Sequence, residues 1–333
     1  MRALAAVLLG TLTLAVGGAS AGSADGWIVF TRMVGEQVEL FKIEPDGSGL
    51  VRLTRTPAWE EEPDWSSDGR LVLAASGVVE IRSPSGRLLR RFPRAAGFSP
   101  SWSPDGRWIA YLRGGCEDEK VGYTCADLWV IRANGSGRRR LARESVNLNV
   151  VSRFYAWAAD SRRLVYLKNG PGALAIVDVR GTRERILAGT RGSGTADPSW
   201  SPDGRWIAFR RQRGPFKGSD LWAVAPDGTR LHRLVRGRSL YRPTWSPDGR
   251  RLAFFSELAS SPGQERLVLM VARNDGFRPR RIAPANDYSH LDWSPDSTRL
   301  VWVDIDQRIT TAGADGRGGA VRLTSGDMPA WGP

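Results

Sequence analysis

Trp102-Ser103-Pro104-Asp105-Gly106 returns as Trp200-Ser201-Pro202-Asp203-Gly204 and as Trp245-Ser246-Pro247-Asp248-Gly249. Weaker copies stand at Trp65-Ser66-Ser67-Asp68-Gly69, Trp157-Ala158-Ala159-Asp160-Ser161 and Trp293-Ser294-Pro295-Asp296-Ser297, and Ala330-Trp331-Gly332-Pro333 is a last fragment. From Trp65 to Trp331 is 266 residues in six steps, roughly 44 residues per step. A repeat of that length is one supersecondary unit that buries its apolar faces only against its neighbours.

The flanks of the motif show what the unit is. A short apolar run follows each copy: Leu71-Val72-Leu73, Trp108-Ile109-Ala110-Tyr111, Leu164-Val165-Tyr166, Trp206-Ile207-Ala208-Phe209, Leu252-Ala253-Phe254 and Leu300-Val301-Trp302. Such runs, bounded by Pro, Asp and Gly, read as strands. A second run comes next, as in Leu128-Trp129-Val130-Ile131 and Leu221-Trp222-Ala223-Val224. Then comes a Gly-bearing turn such as Asn134-Gly135 or Asp227-Gly228, whose residues accept positive φ cheaply and so suit a hairpin. A third run and the tryptophan segment complete four antiparallel strands. Four-stranded units repeated radially form a β-propeller, which leaves only short, protected sheet edges. Trp27-Ile28-Val29-Phe30 matches the run after the motif, and Pro329-Ala330-Trp331 matches the segment before it. The expectation is an all-β, seven-bladed β-propeller over residues 26–333, closed by pairing of its N- and C-terminal strands.

The pattern P-x-W-S-P-D-G-x-x-I-A-F, then L-W-V, then D-G, then R-R-L, resembles the TolB-like repeat of the WD-like propeller families. The resemblance covers residues 27–331 and implies the propeller fold; activity does not follow from it, because one fold hosts many functions. TolB itself carries an α/β domain ahead of its propeller, whereas here a few residues separate the leader from the first strand. TolB-like repeats also resemble the propellers of prolyl-oligopeptidase-type peptidases. These 333 residues leave no stretch for the α/β-hydrolase domain such enzymes carry.

Residues 1–21 read as a signal peptide. Arg2 is the basic start, Ala3 to Val16 an apolar stretch, and Ala19-Ser20-Ala21 a cleavage site. The apolar stretch is too short for a membrane span, and no other segment is a transmembrane candidate. The expected location is extracytoplasmic, periplasmic or secreted. In an oxidising compartment Cys116 and Cys125 would close a loop as a disulfide; a zinc site would need two further ligands. The formal charge is +13, with only Lys42, Lys120, Lys168 and Lys217 among the 48 basic residues. Arg52, Arg91, Arg140, Arg185, Arg233, Arg281 and Arg322 recur just before the last apolar residue of each outermost strand. That repetition reads as a belt guarding exposed sheet edges rather than a nucleic-acid surface, and export makes nucleic acid an unsuitable partner.

Catalytic signals are weak. The match Gly18-Ala19-Ser20-Ala21-Gly22 straddles the cleavage site, not a strand-to-helix elbow. His232 and His290 are the only histidines, too few for a metal-dependent polysaccharide lyase. The repeated Asp-Gly fits tight turns and lacks EF-hand spacing. No catalytic residue, metal or cofactor is assigned. The repeated tryptophans read as packing between blades.

Function is expected on the face where the inner strands begin, since connections there vary in length. Thr31–Gln37, Arg113–Ala126, Arg210–Ser219 and Ser256–Arg266 contrast with the two-residue Ser76-Gly77. The candidate ligand-binding residues converging on that channel mouth are Glu60, Glu61, Glu62, Phe98, Arg153, Tyr155, Asp197, Tyr241, Arg242, Tyr288 and His290, with Trp59 beside them. Glu60–Glu62 would set up a local negative field. The reading is a monomeric, non-catalytic binding or scaffold module for a protein or cell-envelope polymer. The alternative is a carbohydrate-active lyase or hydrolase with a carboxylate pair at the mouth.

Overall fold

The computed structural model describes residues 26–118, 123–147, 154–168, 172–191, 194–214, 217–258, 266–276, 278–286 and 290–333; the side chains at 115–118, 123–125, 144–147, 188 and 266 are not among those described. The described strands form seven four-stranded antiparallel sheets. Apart from one 3-10 turn at Ala188–Thr190, no helix occurs among the described residues. Blade 1 takes its inner strand from the end of the chain: Asp327–Trp331 pairs with Ile28–Val34, followed by Gln37–Ile43 and Val51–Arg52. Blades 2 to 7 are consecutive, with inner strands Glu60–Trp65, Phe98–Trp102, Tyr155–Trp157, Thr195–Trp200, Leu240–Trp245 and Leu291–Trp293.

The expected closure is present. Ile28 stands opposite Trp331 and Val29 opposite Ala330, and the Gly332 amide donates to the Trp27 carbonyl at 2.8 Å. Gly332 leaves no alternative residue: a Cβ there would lie 2.4 Å from the Trp65 ring. The last residues thus wedge between blades 1 and 2.

Each sheet buries both faces, so its second and third strands read as unbroken apolar runs. Leu71 and Leu73 point into the core shared with blade 1, while Val72 points into the core shared with blade 3. Seven apolar clusters among the described residues fill the seven blade interfaces. Burial is spread around the ring rather than gathered in one centre.

The W-S-P-D-G turn is explained by hydrogen bonding. The serine hydroxyl donates to the aspartate at 2.5 Å in Ser66–Asp68 and 2.6 Å in Ser103–Asp105, Ser201–Asp203 and Ser294–Asp296. The same hydroxyl accepts the amide that reopens the next strand, as from Trp108 and Arg251 at 2.9 Å. The tryptophan joins blades. Indole N–H groups of Trp65, Trp157, Trp245 and Trp293 donate to carbonyls of the preceding blade's inner strand: Ala330 at 3.3 Å, Ser101 at 3.4 Å, Ser199 at 3.2 Å and Thr244 at 3.1 Å.

Two expectations change. The long connections on the mouth face are largely hairpin extensions, because the pairing continues to Val34↔Gln37, Asp118↔Tyr123, Gln212↔Ser219 and Leu258↔Arg266. The arginine belt is mostly a set of ion pairs within blades. Arg52 meets Glu39 at 2.9 Å, Arg91 meets Glu80 at 3.3 Å, Arg140 meets Asp127 at 3.1 Å, and Arg233 meets Asp220 at 3.5 Å. Arg322 meets Asp304 at 2.6 Å.

Candidate functional site

The mouth is built by a bulge that recurs in five inner strands. Glu62, Ser99, Asp197, Arg242 and Met328 each precede a proline two residues before the motif tryptophan, and each has positive φ, between 49° and 55°. The ladder register slips there in each blade. Proline has no N–H to contribute to a ladder, so the slip falls where no donor is lost. A left-handed non-glycine residue costs about 1–3 kcal/mol and persists only when its surroundings fix it.

The surroundings are the equivalent residues of neighbouring blades. The Glu62 amide donates to the Met328 sulfur at 3.2 Å. The Glu62 carboxylate accepts from the Ser99 amide and, at 2.7 Å, from its hydroxyl. The Tyr155 hydroxyl donates to the Ser99 carbonyl. Further round, the Arg242 amide donates to Asp197 at 3.3 Å. A side chain at this position therefore fastens the same position of the next blade.

A second cluster gathers at blades 5 and 6. Buried Asp197 forms an ion pair with Arg210 at 3.2 Å. The Arg210 guanidinium lies 5.3 Å from the Tyr241 ring centroid, and the Tyr241 hydroxyl donates to Glu257 at 2.6 Å. Burial, reinforced by the Glu257 carboxylate, pushes the Tyr241 phenol up to about 12. Tyr241 is thus a neutral donor at physiological pH, not a proton acceptor.

Glu60, Glu61 and Glu62 do not form one acidic field. Strand alternation turns Glu60 inward, where it is fully buried. There it accepts from Thr54 and, at 3.1 Å, from Thr56 and the Leu40 amide. It also pairs with Arg82 at 3.2 Å, and Arg82 pairs with Glu80 at 2.8 Å. Burial raises the Glu60 carboxyl above the ordinary range despite the Thr54 hydrogen bond and the Arg82 charge. Glu61 is half-buried and is likewise raised, first by burial and then by Glu62.

The other candidates divide similarly. Tyr155 is buried between blades, bonded also to the Ala110 carbonyl at 3.1 Å. Phe98 is half-buried against the core of blades 3 and 4, and Arg242 and His290 are half-buried. Arg153 and Tyr288 lie outside the described residues. Cys116 and Cys125 face each other in the backbone register, but their side chains are outside the description. Ser99, Arg210, Glu257 and Arg82 were not singled out from the sequence. Aligning the residue before each x-Pro-x-Trp proline would have exposed Ser99; the others sit on ordinary strand positions that carry no motif.

Three of the large apolar side chains exposed among the described residues lie on the mouth face. Met33 at the end of its strand in blade 1 is 57% exposed, Trp59 ahead of the inner strand of blade 2 is 47% exposed, and Ile305 in the turn of blade 7 is 59% exposed. Blades 7, 1 and 2 are neighbours in the ring. Among the described residues no group of three or more His, Cys, Asp and Glu side chains could hold a metal ion, and no helix is long and apolar enough to cross a membrane.

No protein-family model matches the chain. An uncharacterized protein of Agrobacterium fabrum is 26% identical over 207 residues, a match that takes in 60% of this chain and 65% of that relative's length. TolB from Acinetobacter baumannii superposes with a TM-score of 0.57 at 16% identity, over 92% of this chain and 67% of that one. Oligogalacturonate lyase from Vibrio parahaemolyticus superposes with a TM-score of 0.62 at 15% identity, over 91% and 87% of the two chains. At such identities the solved structures share with this chain the β-propeller fold, TolB and related propellers among them.

Proposed function

We propose that this chain is an exported, non-catalytic binding or scaffold module that recognises a protein or cell-envelope polymer on its mouth face. The observation that carries the reading is the exposure of Met33, Trp59 and Ile305 on three successive blades. Large apolar side chains grouped on a rigid rim favour association, and an exposed tryptophan is a frequent anchor of such contacts. The polar groups nearby support it from another side. Glu60, Glu62 and Asp197 are engaged in bonds between blades, which makes them braces of the rim. Export rests on the leader at residues 1–21, and the fold shared with TolB is an analogy at the level of architecture alone.

The test is retention of envelope material by the immobilised mature protein. The variant combining Met33→Ser, Trp59→Ser and Ile305→Ser should lose the partner that the wild type retains, with an unchanged unfolding transition. Equal retention by wild type and variant would overturn the reading. So would turnover of an oligosaccharide by the purified protein, which would establish the enzyme alternative instead.

A further inference from the structure

On the opposite face, where the W-S-P-D-G and D-G turns lie, the residue just before each second-strand apolar run obeys a simple rule. In four blades it is arginine: Arg70, Arg163, Arg251 and Arg299. Each lies over the motif tryptophan of the next blade, 4.6 Å from the Trp102 centroid, 5.2 Å from Trp200, 5.7 Å from Trp293 and 5.7 Å from Trp331. In the other three blades the position is tryptophan: Trp27, Trp108 and Trp206. There the cation comes from the blade itself. Lys42 stands 4.1 Å from the Trp27 centroid, and Arg132 and Arg139 stand 4.9 Å and 5.9 Å from Trp108.

Blade 5 breaks the rule. The pairings Ile28↔Ile43, Ile109↔Ile131 and Ile207↔Val224 put the three blades in common register. In that register Ala223 occupies the place of Lys42 and Ala225 the place of Arg132. His232, opposite Ala223 as Arg139 is opposite Val130, takes the third place. Its ring meets Trp206 edge-on, at 4.8 Å and 80°. Among the described residues no lysine or arginine stands over Trp206. A cavity of about 290 Å³ opens where the cation would be, lined by Trp206, Ala223, His232 and Trp245, with Asp203 and Asp275 at its polar side. Arg205 also lines it, but its side chain is 81% exposed and 3.9 Å from Asp203.

We infer that this cleft between blades 5 and 6 binds the arginine or lysine side chain of a protein partner, at a surface separate from the mouth. The aromatic face attracts a cation through its quadrupole. Asp203 and Asp275 add negative charge at the rim, each also facing an exposed arginine, Arg205 at 3.9 Å and Arg273 at 3.7 Å. The small side chain of Ala223 leaves the space. The same scaffold binds its own cation at both equivalent places, which shows what chemistry the position accepts.

The experiment uses the mature protein with ¹⁵N-labelled tryptophan, the Trp206 indole resonance being assigned with Trp206→Phe. N-acetyl-argininamide should shift that resonance saturably, N-acetyl-lysinamide should compete, and the neutral isostere N-acetyl-citrullinamide should do neither. The double variant Ala225→Arg, His232→Arg rebuilds the cover of blade 3, and the single variant His232→Arg rebuilds the part of it that Arg139 supplies. Each should weaken binding about tenfold or more while the unfolding transition stays in place. The proposal fails if argininamide gives no saturable shift, if citrullinamide binds equally, or if the folded cover variants bind as wild type does.

Discussion

Arg82 shows how one side chain ties the inner and third strands of a single blade together. It is the shared cation of Glu60 and Glu80, and all three side chains are almost fully buried. Removing one partner of a buried pair leaves an uncompensated charge, at a cost of about 3–5 kcal/mol. Arg82→Met should therefore destabilise the protein by that amount at neutral pH in urea unfolding. The pH dependence follows from Glu60, whose carboxyl is already raised, first of all by burial. A raised carboxyl contributes stability below its unfolded value and loses it as pH rises through the folded value. Without Arg82 the folded value rises further, so the deficit of the variant should shrink as pH falls from 7 towards 5. A deficit that is small, or constant with pH, would show that Arg82 does not neutralise this pair.

At the scale of strands, the repeat was legible because turn chemistry and alternation both left marks in the sequence. Asp-Gly at the turns, apolar runs of fixed spacing and the terminal half-motifs gave the blade count and the closure. The mouth was only partly legible. Glu60 and Glu61 are adjacent and look alike, yet one faces the core and the other the rim, because successive strand residues point to opposite sides. The bulge at Glu62-Pro63 shifts that alternation again, and no composition rule reports a register slip. Long connections misled in another way: hydrogen bonding continues through them, as in Trp108–Asp118 with Tyr123–Arg132. That hairpin places Cys116 directly opposite Cys125 in register, and facing residues of an antiparallel pair have Cα atoms about 4.5–5.5 Å apart, inside the range a disulfide requires. Protein from the exported fraction should therefore show no reactive thiol before reduction. Two titratable thiols would refute the bond. Reduction should leave the unfolding transition nearly unchanged, because the bond would close only residues 117–124, a short loop across two strands that are already paired.

For the whole molecule the decisive contact is the one that makes a ring from a chain. Deleting residues 328–333 removes the Trp331 and Ala330 partners of Ile28 and Val29 and the carbonyl that receives the Trp65 indole. It also removes the backbone amide that donates to Asp292 at 2.9 Å and the ring under Arg299. Truncating a buried tryptophan alone costs about 3–5 kcal/mol, and here blades 7, 1 and 2 lose their shared boundary together. An open propeller would expose the inner edge of Ile28–Val34, whose first four residues are buried, and edges of that kind invite pairing between molecules. The truncated protein should lose its single cooperative unfolding transition and associate, measured by calorimetry and by light scattering. A truncated chain that stays monomeric and unfolds at the wild-type temperature would mean that burial within consecutive blades suffices and that the terminal strand only decorates the ring. The distribution of the core argues against that outcome: the cluster between blades 7 and 1 includes Trp331 itself, and the one between blades 1 and 2 includes Ala330. Both boundaries of blade 1 therefore depend on the same six residues.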